Sequence, residues 1–515
     1  MPKCTINGKE VEVPQGASII EAFKAMGEDI CHYCWHPGLS VAGVCRLCMV
    51  QIEGIPKLQI ACNTEVKDGM VITNQSEQVK DTVKWGLDFH LINHPLDCPI
   101  CDQAGECGLQ DQYMQYGKYD PEMAEKKVKK HKVVDLGPTI VLDSERCILC
   151  SRCVRFTEEV SQTNELGIFN RGDRSEIGTV DGKPLDNNYS LNTVDICPVG
   201  ALTSKDFRFR QRVWYLKDSD SICPGCSTGC NVKVYFNEEG LWRVKPRYNA
   251  EVNGHWMCDV GRDTYKYVNK RARLLKVRAG QAEYWEDKEV FSAVMEAGRD
   301  LRESAEKNPN SVAVVMTGQY TNEEFKEFFD FAAGELKLTR FYHWMNDPAH
   351  AEDFDGLLYR GDKNPNTNGL KAEAKTHGGF KSFEDLQANL GGLETILVLG
   401  PENQSQFDDI KEKVEMFGKA KKVIWLTACG SEEINALRAP SVQIPMKTYI
   451  EKAGSFTNYK GLVQEFKRGT TIVEDALTLS EVVTLFRGHE LDYKNRPQPL
   501  GGTKKNHFTE IRGQL

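Results

Sequence analysis

The sequence has no long hydrophobic run. Its longest clean apolar stretch is the five residues Val312–Met316, where a membrane span needs about 18–20. It has no surplus of positive charge either: 65 Lys+Arg stand against 74 Asp+Glu, a net charge of −9. That balance argues against a nucleic-acid polyanion as partner. Neither G-x-G-x-x-G nor a P-loop occurs, so no nucleotide site is expected. Met1-Pro2-Lys3-Cys4-Thr5-Ile6 enters a strand-like pattern at once, without the pattern of a signal or transit peptide. The expectation is a soluble protein made where it works. Cysteine is scarce in one half only. Seventeen of the 18 cysteines lie in residues 1–258, and Cys429 alone follows. In a reducing compartment, clustered cysteines point to metal or redox chemistry rather than disulfides.

At 515 residues the chain suits several domains rather than one core. Thr5-Ile6, the turn Asn7-Gly8, then Val11 and Val13 read as a hairpin. Residues 19–26 follow with helical spacing behind a cap at Ser18. Strand, turn, strand, helix is how a β-grasp domain begins. A Gly- and Cys-dense loop leads to a strand over Met49–Ile52, and residues 75–91 regain helical spacing until Pro95 breaks it. The basic run at 126–132 reads as a solvated face rather than a binding patch. Residues 141–204 and 213–262 are loop-rich and Cys-bearing. Beyond about 273, apolar runs at 312–316, 395–399 and 423–426 alternate with helices, an α/β layered pattern.

Four constellations carry the chemistry. Cys34-x10-Cys45-x2-Cys48-x13-Cys62 can hold two irons in the ferredoxin manner; a zinc ribbon on Cys31, Cys34, Cys45 and Cys48 is the bland alternative, and it leaves Cys62 unused. His94-x3-Cys98-x2-Cys101-x5-Cys107 can wrap a [4Fe–4S] cube, with His90 as decoy one helical turn earlier. A neutral imidazole removes one negative charge from such a ligand set. Cys147-x2-Cys150-x2-Cys153 with a distant Cys197-Pro198 is half of a two-cluster bacterial ferredoxin. The ligands of its other cube are gone: Thr157, Asn187, Ser190 and Thr193 stand at those positions. Cys223-x2-Cys226-x3-Cys230-x27-Cys258 suits a further [4Fe–4S] cube, with structural zinc as alternative. Cys4, Cys31 and Cys429 are left as small buried residues.

HPLDCPICDQAGECGLQD at 94–111, RCILCSRCVRF at 146–156 and DICPVGALTSK at 195–205, with the Cys34 set before them, resemble the large iron–sulfur subunit of respiratory complex I. That family comprises the G subunit of bacterial NADH–quinone oxidoreductase and the mitochondrial 75 kDa subunit. The resemblance implies one [2Fe–2S] cluster on Cys34, Cys45, Cys48 and Cys62. It implies [4Fe–4S] clusters on His94, Cys98, Cys101 and Cys107, and on Cys147, Cys150, Cys153 and Cys197. CPGCSTGC at 223–230 with Cys258 and Gly261-Arg262 is similar to the opening of molybdopterin oxidoreductases, implying a fourth, off-path [4Fe–4S] cluster. Residues 451–458 and Asn364-Pro365-Asn366 resemble segments of the same enzymes, but no residue presents itself as a molybdenum ligand and no molybdenum is expected.

The implied architecture is multidomain, α+β and then α/β. It runs from an N-terminal β-grasp [2Fe–2S] domain (1–78) through a helical segment bearing one histidine and three cysteines (79–138) to a bacterial-ferredoxin-like [4Fe–4S] domain (139–215). A molybdopterin-oxidoreductase-type [4Fe–4S] domain (216–272) and a reduced α/β domain (273–515) complete it. The implied partners are the flavin- and NADH-binding subunit and the quinone-side iron–sulfur subunits, with membrane contact only through the complex, on the cytoplasmic side of a bacterial inner membrane. Electrons would enter at the [2Fe–2S] site and pass to the Cys147 and then the His94 cluster, with no substrate chemistry on this chain. The rival reading is the electron-transfer subunit of an NAD-linked formate dehydrogenase or hydrogenase, and the non-enzyme alternative is a zinc-stabilised scaffold.

Overall fold

In the computed structural model, the residues described are 1–118, 120, 122–282 and 284–491. They form two compact units, 1–216 and 217–491. No helix among them is long and apolar enough to cross a membrane.

The first unit opens with the expected hairpin, Lys3–Ile6 paired antiparallel with Lys9–Glu12. Asn7 and Gly8 turn it with φ of 49° and 81°, the left-handed pair such a two-residue turn needs. Helix Ile19–Ala25 starts at Ser18 with a capping box to Glu21, burying Ile19, Ile20, Ala22 and Phe23. The chain then returns to lay Met70–Thr73 parallel to the first strand, inside a five-stranded sheet completed by Met49–Ile52 and Gln59–Ile60. Helix Glu77–Leu91 follows, capped by Ser76 and burying Val79, Val83 and Leu87. Helix Gly108–Tyr116 comes next. A small three-stranded sheet orders Leu202–Ser204, Ile140–Leu142 and Val134–Asp135.

The basic run is largely exposed, as expected, at Lys126, Lys129, His131 and Lys132, but several of its lysines are also tied down. Lys127 Nζ donates to the Leu91 and Ile92 carbonyls at 2.8 and 3.1 Å, tying down the end of helix Glu77–Leu91. Lys132 pairs with Asp97 and Glu145 at 2.6 and 2.7 Å. The run is a strap across the His94 loop, its charge absorbed by acids far away in sequence.

The second unit begins with an antiparallel sheet, Lys217–Ile222, Asn231–Asn237 and Gly240–Pro246. Beyond it lies a seven-stranded sheet in the order Tyr284–Lys288, Val277–Gln281, Ser441–Pro445, Lys422–Thr427, Thr395–Leu399, Val312–Met316, Phe341–His343. The last five are parallel. Period-2 alternation splits their side chains between two cores. Val312, Val314, Met316, Leu397, Leu399, Ile424 and Leu426 face one. Ala313, Val315, Ile396, Val398, Val423 and Trp425 face the other. Burial on both faces is why these strands read as continuous apolar runs.

The chain reverses direction across the sheet between Val312–Met316 and Thr395–Leu399, the place where open α/β sheets bind ligands. Here the chain's own groups fill part of it, beside a cavity of about 910 Å³ lined by Asn346, Asp347, Lys363, Asn403 and Gln406. Asn366 donates its N–H to Gly318 O and its Nδ2 to Tyr320 O, at 2.9 and 2.8 Å. A Cβ at Gly318 would stand 2.9 Å from Asn364 Cβ. Lys452 bridges Glu324 and Glu402 at 3.0 and 3.1 Å, all three buried.

Candidate metal centres

The first expected set closes in the loop between helix Ile19–Ala25 and strand Met49–Ile52. Cys34 Sγ and Cys45 Sγ stand 3.4 Å apart, and Cys62 reaches both Cys34 and Cys48. Cys62 comes from the short helical turn Ala61–Asn63. Cys31 is engaged elsewhere: its Sγ donates to Gln112 Oε1 at 2.9 Å. The four sulfurs brought together are thus Cys34, Cys45, Cys48 and Cys62, and a ribbon site on Cys31 finds no support. Cys4 is buried in the neighbouring core.

In the second set, Cys98, Cys101 and Cys107 interact with one another. Cys98 is exposed, and the other two are buried. The two histidines separate clearly. His90 Nδ1 is bound to the Gly86 carbonyl of its own helix at 2.7 Å. His94 Nδ1 is buried with no hydrogen-bond partner, the expected condition of a nitrogen reserved for a metal. Burial, then the charges of Arg146 and Lys127, hold the His94 pKa down to about 4, so its imidazole is neutral and ligand-competent.

In the third set, Cys153 interacts with Cys150, Cys147 and Cys197. Burial pushes the Cys147 and Cys150 thiols up to about 12 and 11. Such groups give up their protons readily only to a cationic centre. The positions of the missing cube are filled with small polar side chains. Thr157, Ser190 and Thr193 are buried, Thr157 Oγ1 donates to Val154 O and Thr193 Oγ1 to Ser190 O.

In the second unit, Cys223 and Cys230 stand at the two ends of one hairpin loop, joined by a Cys223 N–H to Cys230 O bond of 2.8 Å. Cys226 lies between them, and Cys258 caps the helical turn Asp259–Arg262. These four sulfurs line one small cavity with Met257, Gly261 and Tyr359. Cys429 is buried, its Sγ 3.5 Å from the Tyr267 carbonyl.

The loops are shaped to aim backbone N–H groups at sulfur. Tyr33 N–H donates to Cys45, Leu149 to Cys147, Gly225 to Cys223 and Gly261 to Cys258, at 3.3–3.4 Å. Leu109 and Gln110 do the same for Cys107. Arg46, Leu149 and Ser151 take φ of 55°, 53° and 61°, left-handed conformations that cost about 1–3 kcal/mol each in a non-glycine residue. Room beside the sulfurs is reserved by glycine: a Cβ at Gly261 would sit 3.1 Å from Cys223 Sγ, and one at Gly200 would collide with Cys101 Sγ. Thiolate sets with several inward N–H donors fit iron–sulfur clusters.

Three sets in the first unit adjoin in series. Arg155 donates through Nη2 to Cys34 O and also reaches Cys150 O. Arg152 donates to Trp35 O and Ile196 O at 2.6 and 3.1 Å. Pro198, next to Cys197, accepts from Gly108 N–H at 2.9 Å, and its carbonyl lies 3.9 Å from Cys107 Sγ. Sequence reading named Gly261 only as part of a motif and missed the roles of Arg152, Arg155 and Gly200; their only signal was a position inside the Cys motifs.

Residues 3–77 match the family described as 2Fe-2S iron-sulfur cluster binding domain. Residues 86–121 match the NADH-ubiquinone oxidoreductase-G iron-sulfur binding region. Residues 137–203 match the NADH-quinone oxidoreductase subunit 3 ferredoxin-like domain, and 216–270 the molybdopterin oxidoreductase Fe4S4 domain. The chain is similar to the G subunit of NADH-quinone oxidoreductase from Streptomyces coelicolor, 41% identical over 272 residues, 52% of this chain and 32% of that protein. The same subunit of Rickettsia felis is 38% identical over 292 residues, 55% and 43% of the two chains. The mitochondrial NADH dehydrogenase [ubiquinone] iron-sulfur protein 1 of Solanum tuberosum is 42% identical over 271 residues, 52% and 36%. The matches thus span less than half the length of these relatives. A chain in the crystal structure of an NAD+-reducing [NiFe]-hydrogenase in the H2-reduced state is 28% identical over 41% of this chain and 91% of that one, at a TM-score of 0.38.

Proposed function

We propose that the chain is an electron-transfer subunit of an NADH–quinone oxidoreductase, with one [2Fe–2S] cluster and three [4Fe–4S] clusters on the sixteen residues assembled above. One observation carries this reading. Four cysteine sets, each gathered with inward N–H donors, fall in order inside four matched iron–sulfur segments. When bound, the clusters supply one-electron carriers. The chain supplies the rest: thiolates and the His94 imidazole to hold metal, rigid left-handed loops that limit reorganisation, and amide donors that favour the reduced state.

The serial contact of the Cys34, Cys147 and His94 sets supports a relay in that order. The Cys223 set belongs to the second unit, in keeping with a structural, off-path role. Residues 273–515 are read as a reduced α/β scaffold, with no molybdenum expected. The proposed partners are the flavin/NADH subunit and the quinone-side iron–sulfur subunits, with the chain peripheral on the cytoplasmic face of a bacterial inner membrane.

Anaerobic metal analysis with low-temperature EPR tests the cofactors: about 14 iron and 14 sulfide per chain are expected from this cluster count. A zinc-rich, sulfide-free chain overturns the reading. Reduction by NADH through a copurifying flavin subunit tests the function. Reduction by hydrogen or formate instead would install the rival assignment.

A further inference from the structure

Three arginines in and just after the third cysteine loop are buried, Arg146, Arg152 and Arg155, and their partners differ: Arg155 binds Ser151 Oγ and the Ser40, Cys34 and Cys150 carbonyls. Arg146 is neutralised by Asp97 and Asp143 at 3.1 and 3.2 Å. Arg152, 3% exposed, has no carboxylate at ion-pair distance among the described residues. Its guanidinium donates only to the carbonyls of Trp35 and Ile196, each adjacent in sequence to a proposed ligand, Cys34 and Cys197. Its Nε is buried without a hydrogen-bond partner. The negative groups it meets are the sulfurs of Cys150, Cys197, Cys34 and Cys45. Its other charged or titratable neighbours are Lys24 and His32, whose pKa values fall to about 8 and about 4, through burial first and the Arg152 charge second. A buried charge is tolerated when something of opposite sign compensates it. At Arg152 the sulfurs of the Cys34 and Cys147 sets are the groups placed to supply it once they hold metal as thiolates.

We propose that Arg152 is a shared redox-positioning residue: one fixed positive charge, held between the Cys34 and Cys147 sets, that raises the reduction potential of both centres and docks their two loops together. The inference rests on the cluster assignment above. A positive charge in a low-dielectric site favours whichever state carries the extra electron. Because the two sets share it, removing it weakens electron uptake at both and leaves the His94 and Cys223 sets unmoved.

The test is an EPR-monitored redox titration of the full, cluster-loaded chain, with Arg152→Gln and Arg152→Lys beside the unaltered protein. In Arg152→Gln the one-electron equilibria of the [2Fe–2S] and Cys147-set signals fall about tenfold, or about 59 mV. The other two signals stay in place, and Arg152→Lys restores both shifted ones. Unmoved potentials, a shift of all four signals, or no restoration by lysine overturns the proposal. A second variant, Arg152→Met, removes the charge from a side chain of similar length in the cluster-loaded full chain. It lowers the same two equilibria about tenfold, or about 59 mV, and unmoved potentials in it overturn the proposal. An unaltered chain without sulfide overturns the cluster reading itself, whereas a full complement of iron with unmoved potentials removes only the role of Arg152.

Discussion

The two units solve the same problem, burying enough surface to stay folded, by different means. The core of residues 1–216 is built partly from the proposed ligands: Cys34, Cys45, Cys107 and Cys153 pack among Leu47, Leu87, Leu136 and Leu142. Its sheets are small, and its loops keep non-glycine residues in left-handed conformations. Residues 217–491 add a seven-stranded sheet with a packed core on each face, including Trp344, Trp425, Tyr320, Phe325 and Phe328. On the proposed cluster assignment, the difference teaches that the first unit draws part of its stability from what its sulfurs hold, while the α/β sheet of the second stands on apolar burial.

The strongest way to break that contrast is to strip the metal. Binding at structural metal sites is folding free energy, on the order of 10 kcal/mol. Chelation under reducing conditions should abolish hydrogen-exchange protection across 1–216 while strands 312–316, 395–399 and 422–427 stay protected. Simultaneous loss in both units would refute the contrast. Next, His94→Ala should remove one cube, about 4 of the 14 irons, while His90→Ala leaves the iron count intact; the reverse result would exchange the two histidines. Trp425→Ala, deep in the second unit, should cost about 3–5 kcal/mol in denaturant unfolding of that unit without changing iron content. A fall in iron would show that the units are not independent in this respect.

The smallest effect is a titration confined to the second unit. Burial lifts the Glu402 pKa to about 7, against the pull of Lys452 and with the push of Glu324. A carboxyl raised in the folded state binds more protons there than in the unfolded chain. Its contribution is therefore complete below about pH 4.3 and fades as pH rises through 7. Thermal unfolding of the sheet should lose about 3 kcal/mol over that window, and Glu402→Gln should flatten the profile. An unchanged profile in Glu402→Gln would mean that another group titrates there.

Local patterns were legible where local physics dominates. The Asn7-Gly8 turn, the Ser18 cap and the three apolar strands stand where their residue types and spacing put them, since turn conformation, capping and two-sided burial are short-range demands. The basic run at 126–132 is mostly exposed as its composition suggests, but its ties to Asp97 and to the Leu91 carbonyl were not legible, because those partners lie far back in the sequence. Spacing nominated the cysteine sets, but it left open whether Cys31 or Cys62 completes the first and whether His90 or His94 serves the second. Packing supplied the difference: Gln112 occupies Cys31, Gly86 occupies His90, and His94 Nδ1 is left without a protein partner.

What the amino-acid order determined by itself was the inventory: sixteen candidate ligands in four spaced groups, a chain without a long apolar run, and alternating strands and helices to follow. What tertiary structure alone decided was adjacency. Arg152 and Arg155 reach carbonyls more than a hundred residues away in sequence, and Pro198 meets the Cys107 loop. Ligand spacing depends on bonds within a single loop, whereas the approach of one loop to another is set by how their faces pack and where a buried charge finds its counter-charge.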